Sequence, residues 1–478
     1  MDHILYWNDV ALEANRVDFT AIPAGETRPR PEQGGPTLSS RALAIVHLAM
    51  YDAHAGIVNT PSTLPRYIAT PPTPSTPTTN AAAAVAAAAH TALCALYPRQ
   101  RAFFEARLLG AGLTGAGISI AHDFGVRVAR EHLADRGKDP GVSDAQYSAS
   151  MAKPNHRPDP QNPGQGFHAP HYGRDSKCFA VKDRHELNVP PVPGQPAYLS
   201  ALRQVRGKGI APELTGTLPS GSAARSNDET VAGLYWAYDG ARELGTPPRL
   251  YNQIVRQVAI EKNNNADKNA ALFALVNAAM ADAGVLAWEE KYKHNLWRPV
   301  VGLREHDDSM GPVASAPAAH IVADCDPLWL PLGAPASNSA DSNGTPPFPA
   351  YPSGHATFGA AALHMTRLFY GRPDGDRAAD SLFPASFVSD ELNGVTRDNH
   401  GTARPRHARS FTGGLWDMIL ENGLSRVYLG VHWEFDAFAT TGGVFDKNKN
   451  VGGVPLGLAI AEDMWKFGGM KGPKKSTV

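Results

Sequence analysis

The chain holds three cysteines in 478 residues, Cys94, Cys178 and Cys325, far apart and never in a CxxC pair. That argues against a disulfide framework or a zinc knuckle and leaves three bland or buried thiols. The odd count leaves at least one thiol unpaired within the chain, and the redox compartment stays open. Neither sign of charge is in excess: 45 Lys and Arg against 46 Asp and Glu give a formal net charge of −1. Such a balance argues against nucleic acid or an anionic membrane as the main partner. No apolar run approaches the roughly 18–20 residues that a spanning helix needs, so no membrane span is expected. The N-terminus, MDHILYWNDVALEANRVDF, has no basic stretch leading into an apolar run, so no signal peptide is read there. A soluble chain follows, cytoplasmic or exported by another route.

Alternating strand patterns are also scarce, whereas helical ones recur. Apolar spacing predicts helices over 38–57, 81–96 (after a possible Asn80 cap), 101–109, 118–133, 229–244, 250–260, 268–297, 356–369 and 411–429. The alanine run at 81–89 is a strong helix former and reads as a close-packing helix. Forty prolines and forty-five glycines fall largely between these segments, as in 60–80, 137–198 and 313–351. Set between apolar helices, they read as ordered connections rather than disorder. No repeat of fixed period is present. The pattern predicts an all-α fold of two helical bundles joined by long loops, divided near residue 215 into 1–215 and 216–478, the second carrying the site.

Three short segments carry the chemistry. In 291–299 (KYKHNLWRP), Lys291 and Arg298 lie seven residues apart, almost two helical turns. Both would leave one helix face about 10 Å apart along the axis, and Pro299 places the pair at a helix C-terminal end. Taken alone, this segment suits a pair of surface cations complementing the helix dipole better than an anion site. Pro352-Ser353-Gly354-His355 opens a small, apolar helix whose free amides favour an anion. Ser353 can donate its hydroxyl, Gly354 its amide at close approach, and His355 can move protons near neutral pH. A plain capping serine with an incidental histidine fits that segment as well. In 425–436 (SRVYLGVHWEFD), Gly430 is expected to break the helix between Arg426 and His432. Asp436, four residues after His432, is placed to orient its imidazole. Together the segments supply fixed cations, two imidazoles and neutral donors, a set suited to a tetrahedral oxyanion.

In order and spacing these segments resemble the signature KX6RP, PSGH, SRX5HX3D of vanadium-dependent haloperoxidases and the type 2 phosphatidic acid phosphatases. Every fixed position is filled. Vanadate and phosphate are both tetrahedral, so the motifs alone give the site and not the reaction. Further stretches, among them GLYWAYDG, GTPPRLYNQIVRQVA, DAGVLAWEEK and PPFPAYPSGHATFGAA, resemble the chloroperoxidase branch over almost the whole chain. The resemblance implies two four-helix bundles and a vanadate cofactor bonded by His432. It implies neutralisation of the oxyanion by Lys291, Arg298, Ser353, Gly354 and Arg426. His355 resembles the acid–base residue, with Lys291 polarising a bound oxygen during catalysis. Asp239 matches a carboxylate expected to pair with Arg426, and Trp288 and Phe348 match aromatic positions beside the halide approach. A histidine replaces Phe348 in the algal bromoperoxidases, so phenylalanine favours chloride. The implied reactants are hydrogen peroxide, chloride, bromide or iodide, and a small organic acceptor, with oligomeric state left open. An acid phosphatase forming phosphohistidine at His432 is the alternative. The chain departs from the fungal members in lacking a long C-terminal tail and in its shorter N-terminal loops.

Overall fold

The computed structural model describes residues 2–20, 31–58, 64–69, 72–315, 322–383, 386–469 and 471–478. Parts of the expected loops 60–80 and 313–351 lie outside the described residues. The helices are α1 (His3–Asp18), α2 (Gly35–Val58), α3 (Ala81–Leu96), α4 (Arg101–Leu109), α5 (Ile118–Asp135), α6 (Tyr172–Asp175), α7 (Pro196–Lys208), α8 (Asn227–Tyr235), α9 (Pro247–Glu261), α10 (Ala266–His294), α11 (Pro299–Arg304), α12 (Gly354–Phe369), α13 (Gly414–Tyr428), α14 (Glu434–Ala437) and α15 (Gly453–Gly468). Strands among the described residues form two small antiparallel pairs, 387–388 with 408–409 and 440–441 with 444–445.

Two helix groups surround α10. On one side α2 packs against α3, α5 and α10; on the other, α12 packs against α10, α13 and α15. The alanine-rich α3 is clamped between α2 and α5, with Ala83, Ala84 and Ala86 through Ala89 buried. Side chains of one methyl let neighbouring backbones approach closely, and burial rather than propensity alone holds the helix there. Asn80 caps it, its Oδ1 accepting from the Ala83 amide at 3.0 Å. Helix α10, 29 residues long, is long and apolar enough by composition to cross a membrane, but the whole of its apolar window is buried inside the protein. The sequence expectation of no such run therefore needs correction: alanines interleaved with larger residues build one, and two layers of helix cover it.

Two helices end earlier than their apolar spacing predicts. The one expected over 229–244 stops at Tyr235, because Tyr238 and Gly240 adopt positive φ (48° and 77°) in a turn. That turn exposes Asp239 towards α13. The one expected over 268–297 stops at His294, where Asn295 takes the left-handed conformation (φ 49°) and closes onto the Lys291 carbonyl. Asparagine tolerates that conformation better than most residues.

Candidate active site

The stop at Asn295 corrects the expected relation of Lys291 and Arg298. They do not share a helix face: Lys291 lies in the last turn of α10, while Arg298 is the N-cap of α11 beyond a short extended stretch. That stretch is held by Leu296 bridging Asn155 and by the Ala350 amide donating to the Leu296 carbonyl at 2.8 Å. The two cations converge because the chain turns between them.

Lys291 is completely buried, and its ammonium donates to the carbonyls of Pro349 (2.8 Å), Ala350 (3.1 Å) and Pro352 (2.5 Å). All three of its hydrogens are thus engaged in fastening the loop ahead of α12. The same ammonium lies 5.1 Å from the ring centre of Phe348 and 5.7 Å from that of Trp288. Arg298, also fully buried, donates through Nε to the Phe348 carbonyl (2.8 Å) and through Nη1 to the Val431 carbonyl (2.7 Å) and His432 Nε2 (2.9 Å). Its Nη2 is buried without a partner among the described residues, as is Nε of Arg426. Arg426 is otherwise paired with Asp239 through two bonds of 2.7 and 3.1 Å.

Ser353 is the N-cap of α12, its Oγ accepting from the Ala356 amide at 3.4 Å, and Gly354 opens the helix. The free amides of that first turn point out of the helix end. Gly430 ends α13 with φ +73°, and a Cβ there would come within 2.4 Å of the Gly209 carbonyl, so glycine is required for the chain to reverse. His432 follows in a bend between α13 and α14, so it and Asp436 do not share a helix. The contact is made all the same: His432 Nδ1 lies 2.8 Å from Asp436 Oδ2, which also accepts from the Trp433 amide at 3.0 Å. Arg298 can only donate, so Nε2 of His432 is its acceptor and the ring proton sits on Nδ1, towards Asp436. His355 has the opposite tautomer. Its Nε2 donates to the Ala237 carbonyl at 2.6 Å, with Asp239 at 3.9 Å, and leaves Nδ1 as the basic nitrogen.

Charge crowding shows in the titration of these groups. Burial, reinforced by Arg298 and Arg426, holds Lys291 well below its ordinary range. Burial brings Arg298 down to about 9. His355 is lowered to about 4 by burial and then by Arg426, and His432 lies well below its usual value through burial, Arg298 and Lys291. Asp436 is pushed up to about 7 by burial, against the pull of Lys291, the Trp433 amide and Arg298. Three cations thus meet with a single carboxylate paired to one of them, an arrangement that an anion would relieve.

A cavity of about 300 Å³ opens onto this cluster. Gly354, His355, Arg426, His432 and Asp239 line its polar end, and Trp288, Phe348, Phe358, Phe19 and several prolines line the rest. Trp288 and Phe348 touch, with ring centres 4.8 Å apart. Lys291, Arg298 and Ser353 are not in the wall itself. The sequence reading missed His168, Gly35 and Phe358, which also line the cavity. His168 comes from the loop-like stretch 137–198, where no local pattern marks it.

The chain matches known proteins over almost its whole length. The family model described as the vanadium chloroperoxidase N-terminal domain covers residues 1–167, and the second helical-bundle domain of the same family covers 271–467. Vanadium chloroperoxidase of Curvularia inaequalis is 34% identical, over 98% of this chain and 90% of the relative. The chain belongs to the vanadium chloroperoxidase family. Solved bacterial structures share the fold: a vanadium-dependent iodoperoxidase (20% identity, TM-score 0.62, covering 96% of this chain and 94% of that one) and a holo vanadium-dependent chloroperoxidase (14% identity, TM-score 0.60, 96% and 98%). Vanadate fits the donor set of this family member. Arg298 Nη2 and Arg426 Nε, without a hydrogen-bond partner among the described residues, and the amides opening α12 suit a buried tetrahedral oxyanion, and His432 Nε2 can join them once Arg298 Nη1 gives up its bond there.

Proposed function

We infer that the chain is a vanadate-dependent haloperoxidase, oxidising halide with hydrogen peroxide to hypohalous acid, which then halogenates a small organic acceptor. The geometry that supports a bound oxyanion is the pair of buried guanidinium nitrogens, unpartnered among the described residues, beside a histidine whose tautomer leaves Nε2 basic, and membership of the vanadium chloroperoxidase family supports vanadate over phosphate there. Vanadate, when bound, supplies a Lewis acid that activates peroxide towards halide without changing its own oxidation state. His432 offers Nε2 to the metal, and Asp436 holds the ring and its proton in place. Arg298, Arg426, Ser353 and the Gly354 amide neutralise and hydrogen-bond the oxyanion. Lys291 fastens the loop carrying Phe348 and would add a positive charge beside the bound oxyanion. Asp239 keeps Arg426 in position. His355 Nδ1 takes a proton from incoming peroxide and returns it as hypohalous acid leaves. Trp288 and Phe348 form the apolar side of the halide approach, which favours chloride-competent chemistry. With the apolar window of α10 buried inside the protein, the proposal includes a soluble chain.

The test is purified protein with and without orthovanadate, supplied with peroxide and each halide in turn, read by phenol halogenation. Halide oxidation that requires vanadate is expected. Hydrolysis of p-nitrophenyl phosphate as the main activity, with no vanadate-dependent halogenation, would replace the reading with a phosphatase.

A further inference from the structure

Two polar side chains in the cavity wall, Thr345 and His168, have no part in the roles above, and His168 is the one against the aromatic wall. His168 lies in the connection between α5 and α6, and its ring stands 5.9 Å from Trp288, edge-on at 81°, and 6.0 Å from Phe348. Its backbone fixes this corner. The amide donates to the Pro347 carbonyl (2.8 Å), and the carbonyl accepts from Trp288 Nε1 (3.2 Å) and the Tyr292 hydroxyl (2.7 Å). The imidazole is not needed for that fastening.

The ring nonetheless has a built seat. Its Nε2 lies 3.2 Å from Oγ1 of Thr37, a fully buried residue in the first turn of α2. Gly35 lies against the same edge with φ +71°, and a Cβ there would fall within 2.4 Å of both Cε1 and Nε2. The orientation is therefore fixed from behind. Nδ1 has no hydrogen-bond partner among the described residues, and Oγ1 of Thr37 has no other than His168. Burial lowers His168 to about 4, so the ring is neutral near neutral pH and carries one N–H.

We propose that His168 is a specificity-determining residue of the halide step: Thr37 donates to Nε2, which leaves the proton on Nδ1 as a donor to the halide at the Trp288–Phe348 wall. The proposal rests on reading that wall as the halide approach. A halide entering an apolar cavity sheds water, and the cost rises from iodide through bromide to chloride as charge density increases. A single donor therefore helps chloride most.

His168→Phe keeps an aromatic ring against Trp288 and removes the donor. Its KM for chloride should rise roughly tenfold, the scale of one hydrogen bond to a charged group, with bromide affected less and iodide least. The accompanying change in kcat should be far smaller than that in KM. His168→Asn, whose amide nitrogen can occupy the place of Nδ1, should recover most of the chloride KM. Thr37→Val releases the tautomer and should shift the halides in the same order; it serves if His168→Phe does not fold. Equal changes for all three halides, or a fall in kcat at constant KM, would mark a packing role and overturn the inference. Trp288→Leu in the same assay separates the causes. If it alters halide KM while His168→Phe does not, the inference fails alone; if neither alters it, the halide-wall reading fails too.

Discussion

At the scale of single residues, the site depends on two histidines held in opposite tautomers. Arg298 fixes one by donating to His432 Nε2, and the Ala237 carbonyl fixes the other by accepting from His355 Nε2. His355→Ala removes a proton carrier and none of the cations, so vanadate binding should persist while chloride turnover falls by ~10²–10⁴-fold. Steady-state rates paired with vanadate affinity check this. In the intact protein His355 is protonated below about pH 4 and neutral above it. Because the base form accepts the proton, kcat/KM for peroxide should rise with pH through that region and lose the inflection in the variant. Phe348→His places a polar, titratable ring between Lys291 and Arg298, whose charged groups lie 5.1 and 4.9 Å from the present ring. The chloride-to-bromide rate ratio should fall, as measured across pH 4–8; an unchanged ratio would leave Phe348 without a part in halide choice. The identity of these residues was legible because the three segments have fixed internal spacing. His168 was not, since a single histidine in a proline- and glycine-rich connection has no spacing to read.

Among the elements, periodicity located α2, α3, α4, α5, α8, α9, α10, α12 and α13, whose apolar faces repeat at helical intervals. It missed α1 and α15, whose buried faces include polar or very small residues such as Asn8, Asn15, Gly453 and Gly457. It also missed α7, which starts at the end of the stretch 137–198 read as loop and runs on through residues for which no element was predicted. Ends were harder still. The stops at Tyr235 and His294 come from left-handed residues that single-residue propensity scarcely marks, yet those stops aim Asp239 and Arg298 at the site. The α12–α15 contact carries a testable ion cluster: Glu462 accepts from His364 at 3.0 Å and pairs with Arg377 at 2.6 Å. Although burial opposes it, the hydrogen bonds from His364 and Arg377 hold Glu462 down to about 2. A lowered carboxylate stabilises the fold above its unfolded value near 4.5, and that contribution is lost as pH falls towards 2. Glu462→Gln should therefore cost about 1–2 kcal/mol at pH 7, allowing for solvent screening. Chemical denaturation should show the difference shrinking between pH 4.5 and 2.

For the whole molecule, α10 is the shared wall between the two helix groups, and one continuous core reaches from Ile4 to Met464. We propose that 1–215 and 216–478 are two halves of one cooperative unit rather than independent domains. Calorimetry should show a single unfolding transition, whereas two separated transitions would divide them. The site draws Lys291 from this shared helix, Arg298 from just beyond it, Ser353 and His355 from the start of α12, and Arg426 and His432 from either side of the α13 stop. Its central claim is that His432 makes the bond to vanadium while the cations supply only electrostatic and hydrogen-bonding support. Calorimetric titration of orthovanadate into apo protein, wild type against His432→Ala, tests that most directly. Tight binding in the wild type, reduced to weak oxyanion affinity in a variant with unchanged helical content, is the expected result. Equal affinity in the two proteins would contradict it.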